Sequence, residues 1–188
     1  MSIRFSLALA ALLVALPALT AVADEHEHEA EKHAEMPKYG ICVMEPTAGN
    51  ETKGVLLFVQ TTDGTALKGY MTGLTPGEHG FHIHEFGDRR AADGTSAGGH
   101  YNPDGHKHGG PDDAEKHVGD LGNVTANDDG VAKVDLVIHS KLHFLLGRSL
   151  VVHADKDDLE SQPSGDAGPR VAVGVIGIAN PEYKPEEK

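Results

Sequence analysis

Histidine is the residue type that points most clearly to chemistry in this chain. The 188-residue sequence contains 13 histidines but only one cysteine. His82 and His84 stand two positions apart in an alternating, strand-like run, so both imidazoles project from the same face of a strand. Two imidazoles on one face can supply two ligands to one metal ion, although such a pair alone is weak support for a site. The first expectation is therefore a metal site built partly on a strand.

A long segment after these histidines offers further metal-binding side chains. Residues 87–116 are rich in glycine, aspartate, histidine and proline, and loops of this length inside a compact domain are usually functional. The candidate ligands in and beyond it are His100, His106, His108, His117, Asp120 and His153. Three imidazoles with one carboxylate suit tetrahedral zinc, and four imidazoles near a plane suit copper(II). These residues predict two neighbouring nitrogen-rich metal sites without identifying their redox chemistry.

Short β-branched or alternating runs, separated by turn signals, must position these side chains. The predicted strands are 54–62, 67–74, 81–86, 118–126, 131–138, 148–153 and 171–179. Turns are predicted at Asp63–Gly64, at Thr75–Glu78 and, joining a hairpin, at Asn127–Gly130. No long stretch has a sustained helical period. The pattern predicts an all-β sandwich or barrel with two long polar loops, residues 87–116 and 155–169.

The start of the chain reads as a cleaved signal peptide over residues 1–23. Arg4 precedes an apolar run from Leu7 to Leu19, and Ala21–Ala23 fits a signal peptidase site. The alternative is a membrane anchor, but the run is shorter than the roughly 20 residues that a span needs. Export to the periplasm is preferred over eukaryotic secretion, where Asn50–Thr52 would be a glycosylation site.

Three further regions follow from composition. Residues 24–37 contain His26, His28 and His33 among acidic residues, so we expect a disordered tail that either collects metal ions or is only solvated. We expect residues 38–180 to form the single folded domain and residues 181–188 to form a flexible tail.

Cys42 lies in an apolar run, which favours a buried core residue over a reactive or dimer-linking thiol. The net charge of −13 argues against nucleic acid or an anionic membrane as a partner.

Several segments, taken in their order, resemble the signature motifs of the copper/zinc superoxide dismutases. The resemblance extends without a break from about Lys38 to Asn180. The matching segments are Gly80–Asp88, Ser96–Pro103, Lys107–Pro111, His117–Asn123, Gly147–His153, Gly165–Arg170 and Gly174–Ala179. The resemblance implies an eight-stranded Greek-key β-barrel and an enzyme that uses copper and zinc.

The resemblance also implies a role for each site residue. Copper would be held by His82, His84, His100 and His153, and zinc by His100, His108, His117 and Asp120. His100 would bridge both metals as an imidazolate and take up a proton when the bridge opens. Asp157 would hydrogen-bond ligands of both sites, and Arg170 would stand over the open face of the copper. The implied reaction is dismutation of superoxide to dioxygen and hydrogen peroxide by copper redox cycling, with zinc structural and electrostatic.

The chain departs from the family pattern in two places. The disulfide that usually ties the long loop to the last strand is missing, because Gly94 or a neighbour and Val173 occupy the matching positions. We therefore expect loop order to depend strongly on zinc. The second polar loop is short and lacks the lysines that often guide superoxide: between His153 and Arg170 the only lysine is Lys156. Electrostatic steering of superoxide is expected to be weak, or supplied by Lys107, Lys116 or Lys141.

Parts of the sequence also match two competing functions. Gly94–Gly98 matches the nucleophile-elbow pattern of serine hydrolases, but that motif needs a strand before it and a helix after it, and neither is predicted here. A non-enzymatic copper/zinc carrier or chaperone-like module on the same fold is the stronger rival. Such relatives tend to lack copper ligands or the guiding arginine, and all are present here. Superoxide is the expected small-molecule substrate, and a homodimer is compatible with the sequence.

Overall fold

Residues 35–183, the part of the chain described by this computed structural model, form eight antiparallel strands that close into a barrel. The strands are β1 (Tyr39–Pro46), β2 (Lys53–Gln60), β3 (Thr65–Thr72), β4 (Gly77–His84), β5 (Asp120–Ala126), β6 (Ala132–Ile138), β7 (Ser149–His153) and β8 (Arg170–Ile178). Within this range, the helical elements are one 3-10 turn, Thr95–Ala97, and one short helix, α1 (Leu142–Leu145).

The order of strands around the barrel differs from their order along the chain. It is β1-β2-β3-β6-β5-β4-β7-β8, and β8 pairs with β1 to close the sheet. The chain therefore crosses over between β3 and β4, leaving β5 and β6 between them, which is a Greek-key connection. This confirms the expected eight-stranded Greek-key barrel. Closure leaves the sheet without an unpaired edge.

Most strands lie within two or three residues of their predicted bounds, but β4 differs. It spans Gly77–His84 instead of 81–86, and Gly77 belongs to the strand instead of to the predicted turn. The physical reason is that β5 holds the first half of β4: Gly77–Gly80 pair with β5, Phe81–His84 pair with β7, and His82 also pairs with Asp120 of β5 after a register shift. The predicted hairpin turn is confirmed, since Gly130 N donates to Asn127 O at 2.9 Å between β5 and β6.

The barrel interior is filled by aliphatic and aromatic side chains. Leu56, Phe58, Leu67 and Phe81 are fully buried in one continuous cluster. Burying each such side chain contributes about 1.5–3 kcal/mol. Cys42 belongs to this cluster, and burial raises the pKa of its thiol to about 12. The prediction that Cys42 is a core residue is confirmed.

Strand β4 places its histidines outside the barrel core. Phe81 and Ile83 point into the core cluster, so His82 and His84, which alternate with them, lie on the outer face. Both histidines are nevertheless buried, with exposures of 0% and 1%. Two connections cover them: the β4–β5 loop, residues 85–119, and the β7–β8 loop, residues 154–169. The candidate metal side chains lie between the barrel wall and these two loops.

Some expectations fall outside the described residues. These are the signal peptide at 1–23, residues 24–34 of the acidic tail with His26, His28 and His33, and residues 184–188 of the C-terminal tail. Within residues 35–183, no helix has both the length and the apolar character required to cross a bilayer.

Candidate metal centre

The β4–β5 loop folds back along β4 and brings its first histidine to the strand. Tyr101 N donates to Ile83 O at 2.7 Å, and an isolated antiparallel bridge pairs His84 with His100. His153 is the last residue of β7, which pairs with β4, so its side chain lies next to those of His82 and His84. Hydrogen bonding of the backbone therefore places imidazoles from one loop and two strands in one location.

Four of these imidazoles form the first candidate metal group. One nitrogen of each lies within 4.8 Å of the others, and all four residues are buried: His82, His84, His100 and His153. The Nε2 atoms of His84 and His153 are 3.3 Å apart, and the ring centroids of His82 and His100 are 3.9 Å apart. These are the residues that the sequence predicted for copper.

The second candidate group combines three imidazoles with a carboxylate. Its members are His100, His108, His117 and Asp120, again within 4.8 Å of one another and buried. The Oδ1 atom of Asp120 lies 2.7, 3.1 and 3.0 Å from the Nδ1 atoms of the three histidines in that order. His100 belongs to both groups, with Nδ1 toward the second and Nε2 toward the first. The residues predicted for zinc are therefore brought together.

Unpartnered nitrogens test whether these groups fit metal ions. His82 Nδ1, His100 Nε2 and His108 Nδ1 are buried and have no hydrogen-bond partner. The His108 nitrogen is close to Asp120, but the direction of approach does not make a hydrogen bond. A buried polar atom without a partner costs about 1–3 kcal/mol, and a metal ion would remove that cost. A set of four imidazoles suits copper and the His₃Asp set suits zinc, so the side chains present fit both ions.

Backbone carbonyls fix the other ring nitrogen of two histidines. His84 Nδ1–H donates to Gly98 O at 2.9 Å, and His153 Nδ1–H donates to Gly168 O at 3.0 Å. Each bond sets the tautomer and leaves Nε2 with a free lone pair directed into the first group. Both rings are therefore oriented for metal binding by the loops that cover them.

One carboxylate connects the two groups. Asp157 Oδ2 accepts from His82 Nε2 at 2.7 Å, and its Oδ1 accepts from His108 Nε2 at 3.0 Å. Asp157 is fully buried, and its backbone is held by Asn123, whose Oδ1 accepts from Asp157 N at 2.8 Å. The structure thus places Asp157 where the sequence predicted a carboxylate that contacts ligands of both sites.

Burial and neighbouring charges keep most of these imidazoles neutral. Burial lowers the pKa of His82 to about 4 and that of His153 to about 3, and it lowers the pKa of His84 well below its ordinary value. For His108, burial also opposes protonation, but the carboxylates of Asp120 and Asp157 outweigh it and raise the pKa to about 9. Neutral imidazoles are the form that binds metals, so His82, His84 and His153 are in the binding form at neutral pH.

Arg170 is half-buried beside the first group. Its Nη2 donates to Gly98 O at 2.6 Å, the same carbonyl that accepts from His84, and its Nη1 donates to Gly94 O. Residue 170 also pairs with His153 across β7 and β8. Burial lowers the pKa of Arg170, but an arginine is not deprotonated in proteins, so the guanidinium remains charged at neutral pH. It therefore presents a fixed positive charge next to two of the imidazoles.

The remaining histidines of the described chain lie outside both groups. His79 is buried and bonds the carbonyls of Thr75 and His153, which agrees with a structural role. His106 is exposed and contacts Asn102 and Lys116 O. The other two are His139 and His143. The long segment offered His106 as a candidate ligand, but the ligand set implied by the family resemblance does not include it, and none of these four histidines is in either group.

Two supporting residues were missed by reasoning from the sequence. Asn123 holds the backbone of Asp157, and Gln162 bonds both backbone groups of His108. Asn123 follows Asp120 in β5 and lies on the outer face of the strand, since its neighbour Val124 belongs to the core, and a polar residue on an outer face carries no distinctive sequence signal. Gln162 lies in an irregular loop, and nothing in the local sequence indicates its partner.

The loop positions expected to lack a disulfide are adjacent. A Cβ built on Gly94 would lie 2.7 Å from Val173 Cγ2, so loop and last strand are packed together there without a covalent link.

Comparison with known proteins places the chain among metalloenzymes. Residues 52–176 match the family described as copper/zinc superoxide dismutase. The chain is 43% identical over 176 residues to an extracellular Cu-Zn superoxide dismutase of Onchocerca volvulus, covering 85% of this chain and 86% of that protein. It is 50% identical over 140 residues to Cu-Zn superoxide dismutase 2 of Mesembryanthemum crystallinum, covering 69% and 89%.

A solved structure shares the fold. The crystal structure of the clock protein EA4 superposes with a TM-score of 0.69 at 39% identity, covering 76% of this chain and 96% of that one.

The closed barrel and its paired histidine groups define a class, the β-barrel metalloproteins with two adjacent transition-metal sites. Together with the matches, they show that the chain belongs to the copper/zinc superoxide dismutase family. It is an oxidoreductase that dismutes superoxide to dioxygen and hydrogen peroxide, and its cofactors are copper and zinc. The non-enzymatic carrier is not favoured.

Proposed function

We propose that the two histidine groups are the metal sites of this dismutase. The first would hold copper through His82, His84, His100 and His153, and the second would hold zinc through His100, His108, His117 and Asp120. The observation that carries the assignment is the set of buried, unpartnered ring nitrogens, which face the centres of the two groups while their opposite nitrogens are fixed by neighbours.

The chemistry divides between the metals and the protein. Copper supplies one-electron redox chemistry, which zinc cannot. Arg170 would attract and orient the superoxide anion with a charge and hydrogen-bond donors that are already fixed by Gly94 O and Gly98 O. His100 would hold a proton at Nε2 when that nitrogen is free of metal, and deliver it to the peroxide product. Asp157 would keep both ring planes in place throughout.

Substitution of one predicted copper ligand tests the assignment. In His153→Ala, the first group loses one imidazole while the second group is untouched, so we expect the metal-loaded protein to keep zinc, lose copper and lose dismutase activity. The measurements are metal analysis and a superoxide-consumption assay. The control is His139→Ala, which removes an exposed imidazole outside both groups and should change neither. Retention of copper and full activity by His153→Ala would contradict the assignment.

We also propose that the protein is exported and that residues 1–23 are removed, leaving a domain at 38–180 with tails on both sides. The apolar run with its small-residue cleavage pattern supports this, as does similarity to a protein named as extracellular. The periplasm is the proposed compartment. Expression with cell fractionation and N-terminal sequencing tests it: a mature chain in the periplasm should begin at Asp24, whereas an uncleaved chain would contradict the proposal.

Superoxide is the substrate, and a second copy of the chain is the proposed partner. An exposed apolar patch supports a homodimer: Phe86, Phe144 and Ile178 are 57%, 53% and 67% exposed. Their segments adjoin, since Ser149 Oγ donates to Phe86 O and Gly147 N donates to Ile176 O. Sedimentation of Ile178→Glu should give monomers where the parent gives dimers.

The negative charge of the chain argues against nucleic acid or anionic lipid as a partner.

A further inference from the structure

The side chain of Gln162 holds the backbone of a predicted zinc ligand. Its Oε1 accepts from His108 N at 2.9 Å, and its Nε2 donates to His108 O, also at 2.9 Å. The two residues are 54 positions apart, in the two loops that cover the metal groups. A primary carboxamide offers a donor and an acceptor side by side, so it can bond both backbone groups of one residue.

His108 depends on these bonds because it lies outside any strand. Within residues 35–183, its amide and carbonyl have no backbone partner, so Gln162 is their hydrogen-bond partner. The ring is held from the same β7–β8 loop, because His108 Nε2–H donates to Asp157 Oδ1 at 3.0 Å. One loop therefore fixes both the backbone and the ring of His108. The remaining nitrogen, Nδ1, is directed into the zinc group without a hydrogen-bond partner.

We propose that Gln162 is a positioning residue for zinc: by clamping the backbone of His108, it preorganises the zinc group before the ion arrives. A ligand already in position loses little conformational entropy when it binds, which increases affinity. The inference rests on the proposed zinc assignment. It makes the short β7–β8 loop a determinant of zinc affinity in a chain whose β4–β5 loop has no covalent tie to β8 at Gly94 and Val173.

The test is Gln162→Met in the full mature chain. Methionine has a similar length and volume but cannot replace the paired hydrogen bonds. We expect zinc affinity, measured by competition with a chromophoric chelator, to fall about tenfold or more, as is typical when an outer partner of a ligand is lost. Amide hydrogen exchange at His108 should accelerate in the zinc-loaded protein. The visible spectrum of the cobalt(II)-substituted protein should change, because the ligand geometry relaxes.

Gln60→Met is the matched control. Gln60 makes an equivalent pair of hydrogen bonds to residues that belong to neither metal group. Its Nε2 donates to Gly64 O and its Oε1 accepts from Leu142 N, both at 2.7 Å. It should lower the denaturation midpoint by a comparable amount while leaving zinc affinity and the cobalt spectrum unchanged. If the role of Gln162 is purely structural, Gln162→Met should behave like Gln60→Met: the denaturation midpoint falls, while zinc affinity and the cobalt spectrum are unchanged.

The outcomes separate the two levels of proposal. If Gln162→Met binds zinc within about twofold of the parent, or if Gln60→Met weakens zinc equally, the positioning role is overturned while the zinc assignment stands. If the parent chain itself binds no zinc, the assignment of the second group fails first. Tight zinc binding by the parent and Gln60→Met, with weak binding by Gln162→Met alone, supports the inference.

Discussion

The contacts around Asp157 leave no spare volume next to the carboxylate that joins the two metal groups. Gly165 lies against it, with a positive φ of 67°. A Cβ at this position would overlap the Asp157 carboxylate and lie 2.7 Å from His108 Nε2. Glycine is required here both for its backbone conformation and for the close approach of the carboxylate.

We predict that Gly165→Ala displaces Asp157 and weakens zinc binding by about tenfold or more, because both ring contacts of the carboxylate are disturbed. Zinc affinity of the full chain, measured by chelator competition, is the readout. Gly49→Ala is the control, since Gly49 has a comparable φ of 81° but no atom within 4 Å of the added Cβ. Equal zinc affinity in the two variants would contradict the predicted displacement of Asp157.

The buried imidazoles also determine how the metal-free protein responds to acid. The folded-state pKa values of His82 and His153, about 4 and about 3, lie below the ordinary value of 6.5 because burial disfavours the charged ring. Between each folded-state pKa and 6.5, the unfolded chain binds a proton that the folded chain does not, so the free energy of unfolding decreases as pH falls through this range. His108 acts in the opposite direction: its pKa of about 9 gives stability below pH 6.5 that is lost as pH rises toward 9.

Since lowered values outnumber the raised one, we predict that the urea midpoint of the metal-free protein falls between pH 7 and pH 5. His153→Gln, which cannot take up a proton in this range, should show a shallower decrease than the parent. A midpoint that is constant or rises on acidification would contradict the burial of neutral imidazoles.

At the scale of elements, the strands were largely predictable because turn signals separate them, and the two groups of candidate metal side chains were predictable because their motifs are distinctive. Which residues of β2 point into the barrel could not be predicted from the sequence pattern alone. Leu56 and Phe58 are buried, yet their apolar neighbours Val55 and Leu57 are 43% and 47% exposed. A continuous apolar run has no alternation, so only barrel closure decides which side faces inward. The contact between Gln162 and the backbone of His108 could not be predicted for a related reason, since contacts between loops are set by tertiary structure.

The β4–β5 loop has little apolar burial of its own between residues 102 and 116, so we predict that zinc orders it. Removing zinc with a chelator should lower the melting temperature and open cleavage sites for protease in this segment. The His117→Ala variant, which removes a zinc-group ligand, should behave like the chelated parent with or without added zinc. An unchanged melting temperature after zinc removal would show that the loop is held by protein contacts alone.

At the scale of the whole molecule, the charge distribution offers little help to an approaching anion. The net charge is −13, and Lys156, the lysine of the β7–β8 loop, pairs with Glu78 at 2.6 Å. Added salt screens long-range attraction, so an enzyme that relies on steering slows sharply as ionic strength rises.

We therefore predict that the dismutation rate changes less than about threefold between low and physiological ionic strength, against tenfold or more for strong steering. The variant Lys156→Gln should have the same weak dependence, because its charge is already paired. A steep loss of rate with salt would mean that other lysines, such as Lys107 or Lys116, guide the substrate.

The packing of Gly94 against Val173 has a practical corollary for how this polypeptide matures. Its sole sulfhydryl, Cys42, is sealed in the interior, so no step on the way to the finished enzyme calls for an oxidant. Synthesis in a reducing cytosol should therefore yield the same folded domain as passage through an oxidising compartment, provided that metal is supplied.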